Sequence, residues 1–124
     1  MIERIIYEYM LEAFQGTGIG VYMQMPDPDP VPGNNPSLFI VIEKTGSSME
    51  NWICESTIAI QSYADSLYNA AELNAQVINA MLTGAVTLNE ITRVELNSDY
   101  NFTDTETKRP RYQAVFDVTH YYTN

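Results

Sequence analysis

The sequence predicts an α+β fold: an antiparallel β-sheet with two α-helices packed on one face, in the order α-β-β-β-α-β-β. Three observations carry that expectation. Two segments, residues 2–14 and 65–82, repeat apolar side chains at helical spacing. Between and after them lie runs that either alternate apolar with polar residues or are apolar throughout, as half-buried and central strands are. Most of the connections are short, which favours antiparallel neighbours, because parallel strands need a long crossover.

The first helix is read in IERIIYEYMLEAF, where Ile2, Ile5, Ile6, Tyr9, Met10 and Ala13 share a stripe and Glu3, Arg4, Glu8 and Glu12 stand elsewhere on the wheel. Gln15-Gly16-Thr17-Gly18 stops it, since glycine accepts the left-handed backbone that ends helices. A short strand over Ile19–Met25 follows. Residues 26–36, PDPDPVPGNNP, hold five prolines in eleven positions and must be irregular or polyproline-like. The run Ser37–Lys44, SLFIVIEK, is apolar on both faces and reads as a central strand. Thr45-Gly46-Ser47-Ser48 supplies a turn, and WICESTIAIQ, from Trp52, alternates as the return strand of a hairpin. In the second helix, over 65–82, Leu67, Ala70, Ala71, Asn74, Val77, Ile78 and Met81 form the buried stripe; Asp65 or Ser66 caps it and Gly84 ends it. Strands over 91–98 and 112–121 complete the sheet.

A chain of 124 residues suffices for one hydrophobic core and not for two ordinary domains, so a single domain over 1–124 is expected. Sixteen acidic residues against six basic ones give a net charge of −10. That balance repels phosphate backbones and argues against specific nucleic-acid binding, while suiting a wall past which DNA slides without sticking. One cysteine, Cys54, allows no internal disulfide, and one histidine, His120, has no Cys or His partners for a zinc site; the chain reads as reduced and intracellular. The N-terminal run carries charges among its apolar residues and is neither a signal peptide nor a membrane span.

No catalytic, cofactor-binding or metal site emerges from these residues. GTGIGV, from Gly16, resembles a dinucleotide fingerprint only superficially: its third glycine comes one residue early, and it follows a helix and precedes a strand, the reverse of what phosphate binding needs. Asp27 and Asp29 lack the turn glycine and downstream acid of a calcium loop. His120 reads as a packed or strand-edge residue with no apparent partner, and Cys54 as a small core residue.

The segments SYADSLYNAAELNAQVINAM and YNFTDTETKRPRYQAVFDVTHY, following LFIVIEKTGSSMENWICESTIAIQSYA, resemble the small tail-terminator (tail-completion) proteins of long-tailed phages and prophages of Gram-positive bacteria. The resemblance runs from about Ser37 to Tyr122 and rests on architectural motifs. It implies a minor tail protein of the virion, assembled in the bacterial cytoplasm, which caps the head-proximal end of the tail tube as a ring, usually a hexamer. Such a cap ends tube growth and offers a joining surface to head-completion and neck proteins; DNA passes through its lumen, and neither membrane nor cofactor is involved.

A ring needs a head-to-tail contact between unlike patches. Tyr100 to Arg111 offers Tyr100 and Phe102 beside Lys108, Arg109 and Arg111, so that half of the six basic side chains stand in four positions. Aromatic and arginine side chains are enriched where partners bind. These five residues, with Asp27 and Asp29 of the proline-rich segment, are the candidate subunit or partner contacts. A head-tail joining protein is the near alternative. A small-molecule-binding module or enzyme whose site is assembled only by folding is the alternative of another class.

Overall fold

The computed structural model of the protein describes residues 1–26, 38–103, 105 and 109–122. Its elements follow the expected order: α1 (Ile2–Ala13), β1 (Gly20–Tyr22), β2 (Phe39–Glu50), β3 (Ile53–Tyr63), α2 (Leu67–Thr83), β4 (Ile91–Asn101) and β5 (Arg111–Tyr121), with a 3₁₀ turn at Ala85–Thr87. The five strands form one sheet ordered β1-β2-β3-β5-β4.

The sheet is antiparallel with one exception. β1 runs parallel to β2, pairing Gly20 with Phe39 and Tyr22 with Val41. The expectation of a wholly antiparallel sheet overlooked the length of residues 23–38, a connection long enough to carry the chain back to the end at which β1 began. β1 is also shorter than the expected Ile19–Met25. Gly16 and Gly18, both at positive φ (81° and 82°), make the turn between α1 and β1, as the glycine pattern indicated.

The β2–β3 hairpin differs from the reading in its turn. Residues 45–48 stay in β2, and the ladder absorbs the irregularity at Thr45 as a bulge between Lys44 and Gly46. The chain reverses instead at Asn51 and Trp52, with φ of 52° and 67°, and Glu50 pairs with Ile53 across this two-residue loop. The bulge has a consequence for facing. Ile40 and Ile42 point to the same side as Ile58 and Ile60, whereas beyond it the odd positions, Ser47 and Met49, take that side opposite Ser56 and Cys54.

Both helices lie on this side. Ile2, Ile6 and Met10 of α1 and Leu73, Val77 and Met81 of α2 join Ile40, Ile42, Ile58, Ile60, Phe116 and Val118 in one buried cluster. Each such side chain contributes about 1.5–3 kcal/mol by leaving water. Leu67, expected in the α2 stripe, is exposed, and Leu73 takes the place in the core. Ser66 caps α2 by accepting from the Asn69 N–H at 3.1 Å.

Gly84 ends α2 at φ −107°, so left-handed backbone is not its role. A β-carbon there would lie 1.6 Å from Oη of Tyr9, whose hydroxyl donates to the Ala80 carbonyl at 3.1 Å. Glycine is needed because α1 leans its tyrosine onto the last turn of α2.

Candidate functional site

Among the described residues no helix lies on the other side of the sheet, and one end of that side gathers the described residues singled out as contacts. By register Phe39 faces Tyr63 across β2–β3, and Tyr63 faces Arg111 across β3–β5. The Phe39 and Tyr63 rings stack at 4.7 Å with 8° between planes, and Tyr22 meets Phe39 edge-on at 5.7 Å. At the far side Tyr100 and Phe102 meet edge-on at 5.7 Å.

The two arginines lie across this row. The Arg109 guanidinium sits 5.0 Å from the Phe39 ring centre and 5.4 Å from that of Tyr63. Arg111 lies 4.2 Å from the centre of Phe102, while its Nε donates to the Phe102 carbonyl at 2.7 Å and its Nη1 to Oη of Tyr63 at 3.0 Å. A guanidinium over a ring face is attracted by the ring quadrupole, by about 0.5–2 kcal/mol as water is excluded.

Hydrogen bonding runs on from there. Tyr63 Oη donates to Gln61 Oε1 at 3.3 Å, Gln61 Nε2 to Gln113 Oε1 at 2.9 Å, and Gln113 Nε2 to Tyr100 Oη at 2.6 Å. Each member polarises the next, which stiffens the row across β3, β5 and β4. Tyr100 and Phe102 remain 41% and 37% exposed. Among the described residues the arrangement contains no nucleophile poised against a base; it presents partly exposed aromatic rims, with both guanidiniums packed on rings of their own chain.

The structure thus brings together Tyr100, Phe102, Arg109 and Arg111. Lys108, Asp27 and Asp29 lie outside the described residues. The sequence treated the Tyr100–Arg111 stretch as a loop; Tyr100 and Asn101 belong to β4, and both arginines rest on rings of their own chain. What sequence reasoning missed are the rings beneath them. The available signal was SLFIVIEK, whose apolar residues on both faces put Phe39 and Val41 on the side without helices, where they form a small second cluster with Tyr63.

His120 has a partner after all. Its Nε2 lies 2.7 Å from Oγ of Ser56 and its Nδ1 2.8 Å from the Tyr121 carbonyl. Since the carbonyl can only accept, Nδ1 carries the proton and Nε2 accepts from the serine. Burial holds the imidazole below its ordinary pKa; the Tyr121 carbonyl works against this and the positive charge of Lys44 adds to it. Nδ1 is held by main chain rather than by a carboxylate, and the pair pins β3 to β5 on the helix side. Cys54 is buried beside it, paired with His120 in register.

Among the described residues no three or more His, Cys, Asp or Glu side chains stand together in a way that could hold a metal ion. No described helix is long and apolar enough to cross a membrane.

No protein-family model matches the chain, and no curated protein matches it. Among solved structures, a chain of the virion of a native gene transfer agent particle has the same fold, with a TM-score of 0.66 at 15% sequence identity. The superposition covers 98% of this chain and 95% of that one, so likeness extends over the whole architecture and not over a shared fragment.

Proposed function

We propose that the protein is a structural component of a phage or prophage tail, namely its terminator, and that it acts without catalysis or cofactor. The observation that carries this reading is the end-to-end fold likeness to a chain of a gene transfer agent virion. Fold alone does not imply function. Here it agrees with the independent sequence resemblance to tail terminators from Ser37 to Tyr122.

In this reading the protein caps the head-proximal end of the tail tube as a hexameric ring, ends tube growth and presents the surface on which head-completion or neck proteins settle. It is assembled in the bacterial cytoplasm and resides in the virion tail. Tyr100, Phe102, Arg109 and Arg111, with Lys108, Asp27 and Asp29, contribute to subunit or partner contacts. The fixed rings and guanidiniums lower the entropic cost of docking, because few side chains must still be ordered. On a chain of net charge −10, a neighbour's carboxylates find this basic end readily, and DNA passing the lumen meets little to bind.

The test is removal of the gene followed by electron microscopy of the lysate. Unjoined heads and tails of uncontrolled length are expected, because a cap both stops polymerisation and forms the joint. Tails of normal length that fail to attach would assign the protein to head-tail joining instead.

A further inference from the structure

We propose that Met49, Cys54 and His120, with Met1 at the same recess, form a binding site for a soft monovalent metal ion of the Cu(I) or Ag(I) kind. Two registers set the three side chains in one row. Met49 lies directly opposite Cys54 across β2–β3, and Cys54 lies directly opposite His120 across β3–β5. All three point to the helix side of the sheet. The β-carbons of direct partners stand about 4.5–5.5 Å apart, and methionine is long and flexible, so an ion held on the thiol is within reach of both neighbours. Together with Met1 the row lines a recess of about 320 Å³.

Core packing does not account for these donors. Cys54 is buried, yet it joins neither apolar cluster of the fold. The thioether side chains are the reverse: Met49 is 53% exposed and Met1 43%. His120 is arranged as metal-ligating imidazoles are, with its Nδ1–H tied to the Tyr121 carbonyl at 2.8 Å, which fixes the ring and its tautomer. The Nε2 lone pair is directed at Ser56, another residue of the recess wall, whose hydroxyl can rotate away from it. Burial keeps the imidazole neutral, the form that ligates.

The donor set selects the ion. Thiolate and thioether sulfurs favour Cu(I), whereas a structural zinc site asks for more thiolates and imidazoles than this row holds. Among the described residues no carboxylate lines the recess, so hard cations find no charged oxygen there. Lys44 stands at the wall with its charge paired to Glu3 at 3.7 Å. The N-terminal amine also acts on the imidazole, and its repulsion is weaker for a monovalent than for a divalent ion. Cys54 releases its proton to solvent as the ion binds, and the thiolate offsets the incoming charge. An ion bound here ties β2 to β5 through β3 beside the hairpin turn. The inference stands apart from the tail-cap reading, in which capping needs no ion.

The full-length protein, reduced and kept from air, is titrated with Cu(I) held by ascorbate in competition with the chromogenic chelator bicinchoninate. One ion per chain is expected to leave the chelator. Met49→Leu, at an exposed position where the fold is kept, is expected to weaken uptake by at least about tenfold, since even partners behind the ligands are worth that much at metal sites. Cys54→Ser is expected to abolish it. His120 is the one histidine of the chain, so its ring signals in NMR report on the row directly. Ag(I), diamagnetic and redox-inert, should shift them together with the Met49 methyl signal at one equivalent. No uptake against the chelator, uptake unchanged by Met49→Leu, or Ag(I) retained with the His120 signals unmoved overturns the proposal, the last because the thiol then binds alone. Displacement of Cu(I) by equimolar Zn(II) overturns it as well.

Discussion

Replacing Gly84 by alanine tests the contact between the two helices more sharply than any core truncation. Alanine in place of glycine ordinarily stabilises a helical position by about 0.5–1 kcal/mol, because the unfolded chain loses freedom. Here the new β-carbon would lie 1.6 Å from Oη and 2.7 Å from Cζ of Tyr9, so the ring must swing away from the end of α2. The displaced hydroxyl gives up its bond to the Ala80 carbonyl, worth about 0.5–1.5 kcal/mol. The ring also gives up packing against the core cluster, and an off-rotamer side chain costs about 0.5–1.5 kcal/mol. The Ala80 carbonyl keeps its bond from the Gly84 N–H, so no buried acceptor is orphaned. The sum for Gly84→Ala is a net loss of about 1–2 kcal/mol, a fall in Tm of roughly 3–10 °C for a chain of this size. In a Tyr9→Ala background the obstacle is gone and the same substitution should be neutral or stabilising. Thermal and urea unfolding of the four proteins of this double-mutant cycle measure the difference. Equal destabilisation by Gly84→Ala with and without Tyr9 would refute the close-approach account.

Three further outcomes follow from the same geometry. His120 is neutral and held below its ordinary pKa, so the unfolded chain takes up its proton first as pH falls; stability from this residue is complete above about pH 6.5 and declines below it, by at most about 1.4 kcal/mol per pH unit, until the folded-state value is passed. Urea unfolding from pH 8 to 5 should show this decline, and His120→Gln should flatten it. Arg111→Lys keeps the charge but cannot reproduce the fork onto Phe102 and Tyr63, and is expected to cost about 1–2 kcal/mol in thermal unfolding; an unchanged Tm would mean that the cation only solvates this end of the sheet. Cys54→Ala, in a buried position beside His120, is expected to leave tail assembly intact with a stability loss of about 1 kcal/mol, and abolished assembly by a folded variant would give the thiol a chemical role.

Much of the architecture was legible because local signals agreed. The periodicity over 65–82, Ser66 as cap and Gly84 as terminus identify α2, and the alternation from Tyr112 identifies β5. Legibility failed where a distant partner decides the local outcome. Thr45-Gly46-Ser47-Ser48 has turn composition, yet β3 offers it a continuous ladder, and a bulge costs less than breaking the pairing; the true turn uses Trp52, which no turn preference would select. β1 is parallel because of what a long connection permits, which composition does not display. The candidate site shows the same limit. Tyr100, Phe102, Arg109 and Arg111 are conspicuous in an acidic chain, but Phe39 and Tyr63 come beneath the arginines only through the β2–β3–β5 order, and Ser56 meets His120 across 64 positions.

Cryo-electron microscopy of complete particles shows where in the particle the chain sits. One ring of this α+β chain is expected between the last layer of the tail tube and the neck, with the arginine-aromatic end of each sheet at a protein contact. Density for the chain repeated along the tube, or located in the capsid or at the distal tip, would contradict it.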